Sequence, residues 1–171
     1  VSFYGRIKGE TAGEDFTLID IPDTQNEAQY YPAVMNTQFQ WIANQKSTRN
    51  IVFATSVGDI VNTASSTSQW DAAVTAYDFL EDGNVPYSVG PGNHDVGGLY
   101  ETYFGVSRFS GKSWYGGHYG SDNSNNYSLL SASGNDFILI NLQYNATTAH
   151  LDWADNLLKT RLKGEAYFLR A

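Results

Sequence analysis

Apolar residues along this chain follow two spacings. Phe16 to Ile21, Ile51 to Val57 and Val85 to Val89 are short apolar-rich runs bounded by turn residues, the pattern of strands buried in a sheet. Between the first two, Met35, Phe39 and Ile42 fall at i, i+4 and i+7, one stripe of a helix that starts near Pro32. Between the second and third, Trp70, Ala73, Val74, Tyr77 and Leu80 repeat the stripe, with Ser68 placed to cap it. Trp41 and Trp70 are expected in the core or at its boundary. The order β-α-β-α-β predicts parallel strands joined by right-handed crossovers. Further on, Tyr127 to Leu130 and Phe137 to Leu142 read as a β-hairpin, and Leu151, Ala154, Leu157 and Leu158 as an amphipathic helix. Ala166 to Leu169 reads as one more strand. The Gly- and aromatic-rich stretch 97–120 gives no clear period and is expected to be a long ordered loop.

These elements define an α/β fold, a mainly parallel sheet flanked by helices that continues into an antiparallel hairpin. Residues 1–15 read as an extended lead-in or the remnant of a preceding domain, and 16–171 as the domain itself. The 171 residues carry 15% aromatics, enough apolar material for a sizeable core. A net charge of −8 disfavours nucleic acid and anionic membranes as partners, because both would repel the surface. No apolar run approaches the roughly 20 residues of a membrane span. With no Cys, disulfide and thiolate chemistry are excluded. Many Ser, Thr, Asn, Gly and Tyr with only 10 Lys plus Arg suggest an exported bacterial protein, secreted or periplasmic.

Candidate chemistry sits just past the three predicted parallel strands, where open α/β sheets hold their ligands. The first runs into Pro22-Asp23-Thr24-Gln25, the second into Gly58-Asp59-Ile60-Val61-Asn62, and the third into Gly92-Asn93-His94-Asp95. Carboxylate and amide oxygens suit hard divalent ions, and a His beside them can ligate or move protons. A turn-capping role is the simpler alternative for Asp23 and Asp59, and a surface turn for Asn93-His94-Asp95.

The trio resembles the signature of the calcineurin-like metallophosphoesterase superfamily: Asp-x-His, then Gly-Asp-x-x-Asp/Asn, then Gly-Asn-His-Asp/Glu. The match covers roughly residues 16 to 160, with Gln25 where the family usually has His. The resemblance implies the first sheet of the metallophosphoesterase sandwich with part of the second. It also implies two divalent metal ions of the Mn, Fe or Zn class. Asp59 would bridge them, Asp23 and Gln25 would serve the first, and Asn93 the second. His94 would act as an acid or transition-state donor, oriented by Asp95, while Asn62 supports its loop. The implied reaction is hydrolysis of a small phosphoester, mono- or diester, by a metal-bridging hydroxide. The family's later ligands, an isolated His and a Gly-His-x-His, have no counterpart up to Ala171. Only His118 and His150 remain as further imidazoles. The domain is therefore expected to be cut short relative to the family, with the first metal position favoured and a sheet edge left open to homo-oligomerisation. The alternative is a non-catalytic module of the same fold that binds an ion or a glycan.

Overall fold

Strands form where the apolar runs predict them. The computed structural model describes residues 13–161 and 167–170. Residues 1–12 of the expected lead-in lie outside the described residues. β1 (Thr17–Ile21) pairs in parallel with β2 (Ile51–Ser56), and β2 with β3 (Tyr87–Ser88), giving a three-stranded sheet in the order β1-β2-β3. The third strand is much shorter than Val85 to Val89. Val85, Val89 and Gly90 are nonetheless buried, so apolar character there reflects core position and not ladder pairing.

Helices follow the 3.6-residue stripes with two differences. α1 (Gln25–Tyr30) precedes α2 (Pro32–Gln45), so the Asp23 loop turns directly into a helix. The next helix, α3 (Thr67–Asp82), has Ser66 at its N-cap position and not Ser68, and Ser66 makes no side-chain cap bond. Met35, Phe39 and Ile42 of α2 and Trp70, Ala73, Tyr77 and Leu80 of α3 join Ile21, Ile51 and Ala54 in one core. Trp70 is fully buried, whereas Trp41 is 47% exposed on the outer side of α2.

The stretch 97–120 is not a loop. It contains α4 (Tyr100–Phe104), α5 (Val106–Phe109) and β4 (Tyr115–His118), and Tyr100, Phe104 and Phe109 belong to the same core. Phe104 stands edge-on to Tyr77 at 4.9 Å, and Phe109 edge-on to Tyr87 at 5.4 Å. Arg108 ties the segment to α3, pairing with Asp78 at 2.8 Å and with Glu81 at 2.9 Å. Aromatics that follow no period can still be core when the surface they fill belongs to distant elements.

The hairpin is present as β5 (Asn126–Ala132) and β6 (Asn135–Leu142), antiparallel throughout. It does not extend the first sheet. With β4 and with β7 (Tyr167–Arg170), which runs parallel to β6, it forms a separate four-stranded sheet in the order β4-β5-β6-β7. α6 (Thr148–Arg161) lies between β6 and β7 in sequence, and its Ala154, Leu157 and Leu158 pack against Tyr127, Ile138, Ile140 and Leu142. The two sheets meet through polar groups: the Thr55 hydroxyl donates to Asn141 Oδ1 at 3.2 Å and lies 3.2 Å from the Ser88 hydroxyl. Asn126 Nδ2 donates to the Val89 carbonyl at 2.7 Å. These buried partners fix how the second sheet sits on the first, because a shift would leave several of them unpaired. Among the described residues, no helix is long and apolar enough to cross a membrane.

Candidate functional site

The loops after β1, β2 and β3 lie against one another, and glycine makes the closest approach feasible. Gly58 has φ +92°, and a Cβ there would fall 2.4 Å from the Gly92 nitrogen and 2.7 Å from its Cα. A Cβ on Gly92 would in turn fall 2.3 Å from Asp59 Oδ1. Two side-chain-free positions thus let two backbones touch.

Asp59 follows with φ +50°, in the left-handed region that Asp tolerates better than most residues. Such a conformation persists only where its surroundings enforce it. Here the Asp59 carbonyl accepts the Thr24 N–H at 3.1 Å, joining the first loop to the second. Its Oδ1 accepts the His94 N–H at 2.9 Å, joining the second to the third. Asp59 is therefore the residue common to all three loops.

Asp95 locks the second and third loops from beneath. The side chain is fully buried, and its oxygens accept N–H bonds from Ile60 at 2.9 Å, Val61 at 3.0 Å and Gly92 at 2.8 Å. Burial pushes its carboxyl up to about 6, against the pull of those three amides. This corrects the role expected for Asp95: it does not orient His94. His94 Nδ1 instead lies 2.9 Å from the Asn62 carbonyl. With that nitrogen protonated and donating to the carbonyl, neutral His94 carries its free lone pair on Nε2.

Asn62 supports its loop, as expected, and brings partners that sequence reasoning missed. Its side-chain amide donates to Gln29 Oε1 of α1 at 2.5 Å. Gln69 Oε1 of α3 accepts the N–H groups of both Asn62 and Thr63 at 2.9 Å. Neither Gln lies in a motif, and no period or spacing marks them; their role depends on helices returning to the loop.

At the first loop Asp23 is exposed, and its carboxylate accepts the Gln25 backbone N–H at 2.9 Å and the Gln25 Nε2–H at 2.8 Å. The remaining amide atom, Gln25 Oε1, is buried with no hydrogen-bond partner. Asn93 is exposed and His94 half-buried. His118 stacks on Tyr115, and His150 meets Tyr119 edge-on, so each imidazole is engaged with an aromatic ring. Among the described residues, no three His, Cys, Asp or Glu side chains form a group able to hold a metal ion.

No family model matches the chain. Over 154 residues it is 35% identical to a Bacillus subtilis (strain 168) protein described as uncharacterized protein YvnB. That stretch is 86% of this chain but spans only 12% of the relative's length.

Proposed function

We propose that this chain carries the substrate-binding and part of the metal-binding face of a metal-dependent phosphoester hydrolase of the metallophosphoesterase kind. The observation that supports the reading best is the position of Asp59, in a left-handed conformation with hydrogen bonds to both neighbouring motif loops. A turn-capping Asp needs only its own loop; this one is shared by three.

The donor set fits a hard divalent cation. Asp23 and Asp59 offer carboxylates, Asn93 an amide oxygen, and Gln25 an oxygen that lacks any other partner. An orphaned buried acceptor costs about 1–3 kcal/mol, which a cation ligand would offset. Two carboxylates with amides make a weaker cage than one built with imidazoles, so hard ions such as manganese suit it better than soft ones. When bound, the cation supplies Lewis-acid activation of water and of the phosphoryl oxygens.

The chain's own groups do the rest. Asp59 holds the His94 backbone in place, and the Asn62 carbonyl fixes the imidazole tautomer. His94, half-buried beside Asn93, is placed to give a proton or hydrogen bond to a phosphoryl or leaving-group oxygen when cationic. Asp95 keeps the Gly92 turn from opening and so preserves the spacing on which both depend.

The test is metal content and hydrolysis of an aryl phosphate with added manganese. Asp59→Asn should abolish manganese uptake, whereas His94→Asn should retain it and lower turnover by about a hundredfold or more. Manganese binding unchanged by Asp59→Asn would overturn the assignment, leaving the three loops a structural junction.

A further inference from the structure

Beside the His94 loop, a residue that no motif contains sits at the same end of the fold. β6 ends at Leu142, and the next two residues carry the chain onto the third motif loop: the Tyr144 N–H donates to the Pro91 carbonyl at 2.9 Å. Pro91 directly precedes Gly92, where an added Cβ would fall 2.3 Å from the Asp59 nitrogen. The backbone of Tyr144 is thus anchored one residue from the candidate site.

The anchor is rigid. Gln143 and the buried Asn125 exchange two hydrogen bonds, Asn125 Nδ2–H to Gln143 Oε1 at 2.8 Å and Gln143 N–H to Asn125 Oδ1 at 3.1 Å. Asn145 then reverses the chain with φ +61°. Against this fixed backbone, the Tyr144 side chain is left 50% exposed. Val96, two residues past His94, is also exposed, at 42%. One exposed apolar side chain thus lies on the His94 loop and one on the segment bonded to that loop. They suit a ligand that presents a flat or apolar face there.

We propose that Tyr144 is the specificity residue for the leaving group. It favours phosphoesters whose leaving group is an aromatic or similarly flat apolar ring over those with small alkyl groups. The proposal rests on the hydrolase reading, since it takes the phosphoryl group to lie at Asp59 and His94. With the Tyr144 backbone bonded to the loop that carries His94, a ring attached through the ester oxygen would stack on the Tyr144 side chain or meet its edge.

Two non-hydrolysable probes test this by calorimetric titration of the manganese-loaded chain: phenylphosphonate and methylphosphonate. The wild-type chain should bind phenylphosphonate about fivefold more tightly, the range expected for one aromatic contact. Tyr144→Ala should bring the two affinities together without changing that for methylphosphonate, and Tyr144→Phe should keep the preference. A wild-type chain that binds both probes equally would overturn the proposal and leave the hydrolase reading intact, as would a preference that survives Tyr144→Ala. Failure of the manganese-loaded chain to bind either phosphonate would overturn the hydrolase reading and this inference together.

Discussion

Gly58→Ala isolates the contact on which the site depends, because the chain holds a near-perfect control for it. Gly58 and Gly111 have almost the same backbone angle, φ +92° and φ +91°, but a Cβ on Gly111 would have no atom within 4 Å. Both substitutions incur the strain of an L side chain at positive φ, about 1–2 kcal/mol. Both recover about 0.4–1 kcal/mol from a stiffer unfolded chain. Only Gly58→Ala drives a methyl group to 2.4 Å from the Gly92 nitrogen and 3.0 Å from the Gly90 carbonyl oxygen. These are backbone atoms and cannot rotate aside, so the loops must separate by about 1 Å to reach ordinary contact. A shift of that size takes the Ile60 N–H to Asp95 bond from 2.9 Å beyond hydrogen-bonding range, and the His94 N–H to Asp59 bond from 2.9 Å likewise. Each accepts at a carboxylate and contributes about 1.5–3 kcal/mol. Gly58→Ala should therefore cost about 3 kcal/mol or more beyond Gly111→Ala, read as the difference in urea unfolding free energy at pH 7. Losses equal to within about 1 kcal/mol would mean that the two loops part freely, and the account of a locked site would fail.

One further outcome concerns the Asp95 bonds and another the ion pairs of Glu81 on α3. Asp95→Asn keeps the side chain's shape but cannot accept from all three amides, so exchange of the Gly92 or Ile60 backbone N–H should speed up about tenfold or more; unchanged protection at both would show that Asp95 does not hold them. Glu81 lies below the usual Glu range because, although burial raises it, the Tyr87 hydroxyl, Arg108 and Lys112 together outweigh that effect. Its stabilisation is thus present at neutral pH and lost as acid takes the pH down through and below about 4.5; Glu81→Gln should cost up to about 1 kcal/mol at pH 7 and less at pH 3, and an equal cost at both would refute the ion-pair account.

What the sequence by itself determined is local. Strands 17–21 and 51–56, helices 32–45 and 67–82 and the 126–142 hairpin were legible because an apolar stripe or alternating run is written by consecutive residues that share one surface. The three motif loops were legible for the same reason: each is a short string at a strand end, and the structure brings all three together at Asp59. Whatever depends on two distant segments meeting was decided only in three dimensions. Residues 100–118 have no period because they fill surface supplied by α3 and β3, so their burial is not encoded in their own spacing. The hairpin forms a second sheet because Thr55 and Asn126 find partners across the gap between layers, a choice invisible in either strand. Asp95 follows His94 in sequence and looks like its orienting partner. Three converging backbone N–H groups compete for its carboxylate, and one imidazole N–H cannot match them, so His94 turns to the Asn62 carbonyl instead. Nothing local marks Tyr144; only the bond from its N–H to the Pro91 carbonyl, 53 residues away in sequence, ties it to the third motif loop. Adjacent residues fix which element forms, and desolvated hydrogen bonds between elements fix what each motif residue does.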